Sequence, residues 1–378
     1  MANDKSFKIK NGLLAGRYLQ SAGTETAGSE GYSIAGASYD SKSFSVQAQE
    51  GNFQDMAFKP DGTKVYVVGF ATDAVYQYSL STAWDISTAS YDSVSLSVSS
   101  QDAAPIAIEL NADGTSLYVV GSANDTVFQY DLSTAYNLST ASYSSKSFNL
   151  ATQNADPKGI VFKSGGTKMY YLAGDTIIYQ YSLSTAYDIS TVSYDSISHT
   201  LSSDTIRSMQ FNSNGTAILV CNDTDNTFEK YTLSTAYDIT TISTTASETF
   251  TATGSNAARI KVKPDGTKVY QADSSADTIY QYSTVLNTET LDLSTGTSFS
   301  FTPSGATTVS FTNAPASGIA IGFAAEINGD GSAITWPGSV KWDSGTAPTA
   351  TASKEVYTFI TTDGGTTYYG KKAAGDIA

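Results

Sequence analysis

Apolar and polar residues alternate over short stretches of this chain, and turn-forming residues separate the stretches. "FQDMAFKP", "KVYVVGF" and "AVYQYSL" follow one another within residues 53–80, with "DGT" and "ATD" between them. Alternation with a period of two predicts strands, and Asp-Gly predicts a tight hairpin turn in which Gly adopts a positive φ. Because no window sustains apolar spacing of three and four, the pattern predicts an all-β protein.

One phrase recurs along the chain about every fifty residues. "YQYSLSTAWDIST" returns as "FQYDLSTAYNLST", "YQYSLSTAYDIST" and "EKYTLSTAYDITT", and a fifth copy stops after "YQYST". The aligned tyrosines, separated by 52, 51, 50 and 51 residues, are Tyr78, Tyr130, Tyr181, Tyr231 and Tyr282. A period of this size with four strand-like segments per repeat is typical of a β-propeller, in which each repeat forms one blade.

The two ends of the repeat array are complementary. Residues 31–46, "GYSIAGASYDSKSFSV", align without gaps on residues 83–98, which end with the fourth strand of the first full repeat. The last repeat lacks that strand. We therefore expect the N-terminal strand to lie beside residues 279–283 and to close a ring of five blades, which removes the exposed edges of an array. An open solenoid of the same repeats is the alternative.

The segments that flank the repeats differ from them in composition, and we divide the chain into three parts. Residues 1–30 are expected to be disordered or to form an arm that orders against a partner, because they are polar apart from Phe7, Ile9, Leu13 and Leu14. Residues 31–284 form the predicted five-bladed propeller. Residues 285–378, with strand-like "SFSF", "TVSF" and "IAIGFAAEI", are predicted to form a small C-terminal β-sandwich.

The charge and the rare residues restrict the function. The formal net charge of −15 disfavours nucleic-acid and anionic-lipid partners. The single cysteine, Cys221, excludes an intramolecular disulfide, and the single histidine, His199, excludes a site built from several histidines. We find no apolar run that suits a secretion signal or a membrane span, so we expect synthesis in a cytoplasm and no membrane insertion.

Several segments resemble a known group of proteins. The phrase "YQYSLSTAYDIST" resembles repeats in structural proteins of tailed bacteriophages, especially marine ones. "ITWPGSVKW" and "YTFITTDGGTTYYG" are similar to a C-terminal module of phage fibre-like proteins, and "SFKIKNGLLAG" resembles their N-terminal attachment segment.

This resemblance implies a structural protein of the virion, a tail fibre or surface appendage that acts in host attachment. The implied location is the particle surface or tail. The implied partners are other virion proteins, bound through the N-terminal arm with Phe7, Ile9, Leu13 and Leu14, and a host-surface glycan or protein. By analogy a homotrimer is expected. The resemblance implies no enzymatic activity, and we expect no cofactor.

Three alternatives to a fibre remain: a capsid decoration protein, a stand-alone sugar-binding propeller, and a lactonase-like propeller hydrolase. The hydrolase is the least favoured, because such enzymes need a polar cluster at the central axis. The predicted innermost strands, "MAFKP", "IAIEL", "IVFKS", "MQFNS" and "IKVKP", offer few ligands. The acidic residues recur with the repeat, whereas an active site should break the symmetry. We therefore predict no catalytic residue and no metal ligand.

The turns between the second and third strands should bring short polar side chains to one rim of the propeller. Such side chains can bind a sugar or, through oxygen ligands, Ca²⁺, although Asp and Asn also simply favour turns. The candidates for contact with a host molecule are Asp73, Asp125 and Asp277.

Four aromatic residues occupy one equivalent position in the connection before the fourth strand. Their rings either stack on sugars or pack on their own blades. They are Trp84, Tyr136, Tyr187 and Tyr237.

Overall fold

The computed structural model describes residues 32–254, 257–286, 288–303, 307–329, 334–343, 345–351 and 353–377. Within them the chain is all-β, with five four-stranded sheets followed by a three-stranded and a five-stranded sheet. The predicted N-terminal anchor residues Phe7, Ile9, Leu13 and Leu14 lie outside the described residues. No helix among the described residues has the length and hydropathy needed to cross a membrane.

Each four-stranded antiparallel sheet is one blade. In four blades the strands follow the sequence from the axis outward. In the fifth blade the outermost strand is the first strand of the chain. That strand is β1 (Tyr32–Ser45). The first blade contains β2 (Phe53–Phe58), β3 (Lys64–Gly69), β4 (Ala74–Leu80) and β5 (Ala89–Ser97), and the second contains β6 (Pro105–Leu110), β7 (Ser116–Gly121), β8 (Thr126–Leu132) and β9 (Ala141–Asn149). The third contains β10 (Pro157–Phe162), β11 (Lys168–Ala173), β12 (Ile177–Leu183) and β13 (Val192–Thr200), and the fourth contains β14 (Ile206–Phe211), β15 (Ala217–Asn222), β16 (Thr227–Thr232) and β17 (Glu248–Thr251). The fifth contains β18 (Ala257–Val262), β19 (Lys268–Asp273), β20 (Thr278–Leu286) and β1. Short 3₁₀ helices precede the fourth strand of the first four blades at Ile86–Thr88, Leu138–Thr140, Ile189–Thr191 and Ile239–Thr241.

The five blades form a closed ring. The innermost strands contact one another in circular order, β2 to β6, β10, β14 and β18, and β18 contacts β2 again. Strand β1 pairs antiparallel with β20, with Ser38 opposite Ser283 and Ser45 opposite Thr278. Both the number of blades and the closure by the N-terminal strand, which were predicted from the sequence, are therefore confirmed.

A polar network fixes the closing strand. The Asp40 carboxylate on β1 accepts hydrogen bonds from Lys268 Nζ (2.7 Å), Gln281 Nε2 (2.8 Å) and Ser283 Oγ (2.6 Å). Burial raises the pKa of Asp40, but the hydrogen bonds from Lys268, Ser283 and Gln281 outweigh burial and lower it below its usual value. Glu248 of the fourth blade accepts the Ile34 N–H at 2.7 Å. The strand is thus held by two blades.

Buried tyrosines join neighbouring blades at four of the five junctions of the ring. A tyrosine hydroxyl on the second strand of one blade donates to the carbonyl of the aromatic residue before the 3₁₀ helix of the following blade. The pairs are Tyr66–Tyr136, Tyr118–Tyr187, Tyr170–Tyr237 and Tyr270–Trp84. The fourth blade has Leu219 at the donor position, and the fifth blade has no such connection to accept a bond. The repeated aromatic residues therefore support the contact between blades.

The turn glycines under these aromatic rings give a stability prediction with an internal control. Gly165 and Gly166 both have positive φ, +85° and +68°, but a Cβ on Gly166 would lie 2.3 Å from the Tyr187 ring, whereas Gly165 faces open space. Gly165→Ala should lose roughly 1–2 kcal/mol from backbone strain alone. Gly166→Ala should lose about 1–3 kcal/mol more because the ring must move. Equal free energies of unfolding in urea for the two variants would contradict this packing.

The C-terminal sheets enclose a separate core. Leu291 and Val309 of one sheet pack with Phe323 and Phe359 of the other and with Trp336. Two packed sheets agree with the predicted sandwich. The three-stranded sheet contains β21 (Thr288–Asp292), β23 (Thr307–Thr312) and β25 (Ile334–Thr335), and the five-stranded sheet contains β22 (Ser298–Phe301), β24 (Ile321–Asn328), β27 (Lys354–Thr361), β28 (Tyr368–Ile377) and β26 (Val340–Trp342).

Candidate functional site

The innermost strands have one uniform face and one variable face. The uniform face packs against the preceding blade and holds the buried residues Met56, Ile108, Ile160, Met209 and Ile260. The variable face lies toward the next blade and the axis. Each innermost strand has two residues on this face. They are Asp55 and Ala57 in β2, Ala107 and Glu109 in β6, Gly159 and Val161 in β10, Ser208 and Gln210 in β14, and Arg259 and Lys261 in β18. The repeat is therefore broken at the axis, where a ligand site of a propeller is expected to lie.

Some of these variable side chains satisfy the inner edge of the neighbouring blade. An innermost strand has no further strand to pair with, so its edge amides need other partners. Asp55 Oδ2 accepts the Ile108 N–H at 3.0 Å, and Ser208 Oγ accepts the Ile260 N–H at 2.9 Å. These contacts hold the polar side chains in place at the channel.

Four charged side chains from three blades fill the middle of the channel. Arg259 Nη2 donates to the Ile106 carbonyl at 3.0 Å, and Lys261 Nζ lies 3.1 Å from Glu109 Oε2. Both contacts cross from the fifth blade to the second, which are not neighbours in the ring. We call Asp55, Glu109, Arg259 and Lys261 the charged plug. The innermost strands were expected to offer few ligands, and the charged plug shows that charged side chains from three of them nevertheless meet at the axis.

Burial and neighbouring charges shift the pKa values of three side chains of the charged plug. Burial raises the pKa of Glu109 and lowers that of Arg259. Burial also lowers the pKa of Lys261, but the carboxylates of Asp55 and Glu109 outweigh this effect and raise it. The four charges cancel formally, which is the usual condition for burying ions.

A cavity of about 330 Å³ opens at the end of the channel where the innermost strands begin. We call it the upper cavity. Three cations line it, Lys158, Arg207 and Arg259, together with the carboxylates of Asp156 and Asp223. The expected rim of short polar and acidic side chains is thus accompanied by three cations, one more than the carboxylates that line the cavity.

The cations and carboxylates of the upper cavity hold one another in defined positions. Lys158 Nζ lies 2.8 Å from Asp156 Oδ1, and Arg207 Nε lies 3.0 Å from Asp223 Oδ2. The Asp223 side chain is 20% exposed, so it is oriented by Arg207 and still reached by solvent. Cations of this kind bind anionic groups, and a fixed carboxylate can accept a proton from water.

The aromatic residues predicted to contact a glycan lie at the other end of the propeller. Each ring lies over the turn glycine of its own blade, so close that a Cβ there would meet ring atoms at 2.3–2.5 Å. One ring face is therefore covered, and their contact with a glycan stays a prediction. The ring and glycine pairs are Trp84–Gly62, Tyr136–Gly114, Tyr187–Gly166 and Tyr237–Gly215.

The three predicted aspartates, Asp73, Asp125 and Asp277, occupy turns at the upper rim with φ between 45° and 49°. Asp277 Oδ1 accepts the Phe53 N–H at 3.0 Å, whereas Asp73 Oδ1 is buried without a partner among the described residues. The repeat explains the difference, because the position of Phe53 is taken by Pro105 in the second blade and proline has no N–H. None of the three lines the upper cavity, and their role in binding stays a prediction.

Sequence reasoning missed the residues that converge on the axis. Three cations lie near the start of the innermost strands of the third, fourth and fifth blades: Lys158, Arg207 and Arg259. The equivalent positions of β2 and β6 hold no cation. The signal that could have found them is this departure from the repeat at positions on the innermost strands. His199 lies on the outer strand β13, and burial raises the pKa of the Cys221 thiol.

Comparison with known proteins gives a match to one family model, "Lactonase, 7-bladed beta-propeller", over residues 173–305. This is about a third of the chain, and it runs from the outer strands of the third blade to the first strands after a propeller that here has five blades. No curated protein shows a significant match.

Solved structures with some likeness include a Bacteroides uniformis protein described as a 6-phosphogluconolactonase (15% identity, 58% of this chain and 63% of that one, TM-score 0.37). They also include the periplasmic gluconolactonase PpgL of Pseudomonas aeruginosa (13% identity, 54% and 55%, TM-score 0.37) and the Cps50 propeller domain of Myceliophteria thermophila (11% identity, 62% and 83%, TM-score 0.38). This chain spans less than two thirds of the two gluconolactonase structures. Likenesses of this size carry no information about activity.

The family match corrects the assignment made from resemblance. The expected virion protein with a role in host attachment is contradicted, because the matched family is a lactonase family and not a phage family. The expectation that the chain is not an enzyme is contradicted by the same match. Of the functions considered from the sequence, the propeller hydrolase ranked last agrees best with this finding.

Proposed function

We propose that this protein hydrolyses a lactone that carries an anionic group, and that the upper cavity is its active site. The observation that carries the proposal is the convergence of Lys158, Arg207 and Arg259 with the oriented Asp223 carboxylate at the axis. The lactonase family model, which matches part of the chain, supports the reaction class. A sugar-acid lactone with a phosphate or carboxylate group suits a cavity with an excess of cations.

The proposed reaction needs one water and no other reactant. Asp223 accepts a proton as the water oxygen attacks the lactone carbonyl carbon. The carbonyl oxygen becomes an oxyanion, which Arg259 stabilises from the floor of the cavity. The ring C–O bond then breaks, and the ring oxygen takes the proton from Asp223. The oxyanion returns to a carbonyl as this bond breaks, so the product is an open-chain hydroxy acid whose carboxyl group releases its proton to solvent.

The residues of the cavity have separable effects in this scheme. Asp223→Asn should lower kcat by about 10²-fold or more, because the variant keeps a hydrogen bond to Arg207 but cannot accept a proton. Lys158→Met should mainly raise KM, since Lys158 binds the anionic group of the substrate. A pH-stat assay with 6-phosphoglucono-δ-lactone and glucono-δ-lactone, corrected for spontaneous hydrolysis, measures both constants.

Lys146→Met is the matched control. Lys146 Nζ lies 2.9 Å from Asp188 Oδ2, and neither residue lines the upper cavity. It should behave as the unmodified protein does. Hydrolysis no faster than the buffer background for either lactone, or full activity in Asp223→Asn, would overturn the proposal. Saturable binding of the lactone without turnover would instead favour a sugar-binding propeller.

A further inference from the structure

The upper cavity has a charged half and a neutral half. Most of its lining comes from two positions of the repeat, the second residue of the innermost strand and the residue that follows the second strand. In the third and fourth blades these positions hold the charged residues Lys158, Arg207 and Asp223. In the first and second blades, which are neighbours in the ring, all four are uncharged: Gln54, Phe70, Ile106 and Ser122. A ligand that fills the cavity therefore meets ionic groups on one side and uncharged groups on the other.

The neutral half offers hydrogen-bond acceptors to a ligand. Gln54 Nε2 donates to Asn52 Oδ1 at 2.7 Å, which leaves Gln54 Oε1 as an acceptor. Ser122 Oγ donates its proton to the Ala104 carbonyl at 3.1 Å, so its lone pairs remain for a ligand. Hydroxyl groups of a ligand can donate to both side chains. A lactone group cannot, because its two oxygens only accept, so it suits the cations of the charged half.

The neutral half also offers an apolar surface. Phe70 is half-buried and packs against the core cluster that contains the buried Ile106. The C–H face of a sugar ring can pack on an aromatic side chain while its hydroxyl groups make hydrogen bonds. The cavity volume of about 330 Å³ is the space of about eleven water molecules, which suits one sugar ring with an anionic group.

We propose that the neutral half selects a hydroxylated ring of the size of one sugar, and that Gln54, Phe70 and Ser122 determine this specificity. The anionic group and the lactone carbonyl then lie toward the cations, and the hydroxyl-bearing carbons lie toward the first and second blades. This inference rests on the proposed function, because it places the substrate in the upper cavity. An alkyl lactone of the same charge has no O–H donor and would leave both acceptors without a partner.

Two ligands that are not lactones test the specificity separately from the reaction: glucose 6-phosphate and cyclohexylmethyl phosphate. Both carry one phosphate on a six-membered ring, but the second lacks the hydroxyl groups and the ring oxygen. Calorimetry with the full chain should give a Kd for glucose 6-phosphate on the order of millimolar or below. Cyclohexylmethyl phosphate should bind at least about tenfold more weakly, since the acceptors would lose water without gaining a partner.

Variants connect the preference to the named side chains. Gln54→Met removes an acceptor at nearly constant volume and should reduce the preference for glucose 6-phosphate about fivefold. Phe70→Ala should weaken the binding of both phosphates about tenfold through lost apolar contact. The matched controls are Gln47→Met, at an exposed glutamine that does not line the cavity, and Phe148→Ala, at a half-buried phenylalanine that packs against the same core cluster as Phe70. Both controls should keep the affinities of the unmodified protein.

The outcomes separate this inference from the proposed function. Equal affinity for the two phosphates, an unchanged preference in Gln54→Met, or no binding of either phosphate would overturn the inference, even if the lactones are hydrolysed. A preference for glucose 6-phosphate that depends on Gln54, without hydrolysis of either lactone, would overturn the proposed function and support the specificity of the neutral half.

Discussion

A chain without residues 32–45 should lose cooperative unfolding and should aggregate at concentrations where the full chain is monodisperse. The deletion removes the antiparallel partner of β20 and exposes the edge of the fifth blade. It also uncovers the core around Ile34, which is 1% exposed, and leaves Lys268 without the Asp40 carboxylate. The first and fifth blades would keep the Tyr270–Trp84 hydrogen bond but would lose the Lys42–Asp85 pair between them. Light scattering and urea unfolding followed by circular dichroism measure the effect.

The role of β1 in closure can also be tested with two single substitutions, one on β1 and one at a position with the same side-chain contacts in another blade. Asp195 on β13 makes the same contacts as Asp40, with Lys168, Gln180 and Ser182. Asp40 and Lys268 are 228 residues apart, whereas Asp195 and Lys168 are 27 apart. Asp40→Asn and Asp195→Asn should each cost about 1–3 kcal/mol of unfolding free energy.

Only Asp40→Asn should expose residues 32–45 to protease under native conditions, because β1 is not joined to its blade by a hairpin and can detach alone. Equal protection of the two variants would show that the Asp40 contacts do not hold this strand in place. A deletion variant that unfolds as the full chain does would show that closure does not depend on the strand.

The blades could be predicted from the sequence because the residues that determine the strands and turns of a blade lie within one repeat. Alternation fixes the strands, and turn residues such as Gly62 fix the hairpins. The closure followed from residues 31–46, which repeat the last part of the phrase. These signals are local and periodic, so a single chain displays them.

The axis could not be predicted in the same way, because its contacts are neither local nor periodic. Lys261 and Glu109 are 152 residues apart, and Arg259 and Ile106 are 153 apart. Attention to repeated residues led instead to Trp84 and its equivalents, whose carbonyls accept the tyrosine bonds between blades. Residues that recur in every repeat stabilise the blades, whereas residues that differ between repeats form the candidate site at the axis. The phage resemblance rested on the repeated phrase and on flanking segments, none of which reports chemistry at the axis.

Breaking the Lys261–Glu109 pair should have the second large effect on stability. Lys261→Met leaves Glu109 and Asp55 as neighbouring carboxylates in a buried channel, and removing one member of a buried pair typically costs about 3–5 kcal/mol. Glu109→Leu should cost less, because Lys261 keeps the attraction of Asp55. The double variant should approach the stability of the unmodified protein, since well-packed apolar groups can replace a buried pair. Lys42→Met is the control, because Lys42 is 38% exposed in its pair with Asp85 and such pairs contribute about 0–1 kcal/mol.

The dependence on pH identifies the cause of the Lys261→Met effect. Without Lys261, the pKa of Glu109, already raised by burial, should rise further above the ordinary 4.5. A carboxyl group whose pKa is higher in the folded than in the unfolded state contributes full stability below its unfolded pKa and loses it as the pH rises through the folded pKa. The destabilisation of Lys261→Met should therefore be smallest near pH 4.5 and should grow toward neutral pH, whereas that of Lys42→Met should not. Urea unfolding of both variants across this range measures the difference, and parallel curves would show that the Lys261 effect is one of packing and not of charge.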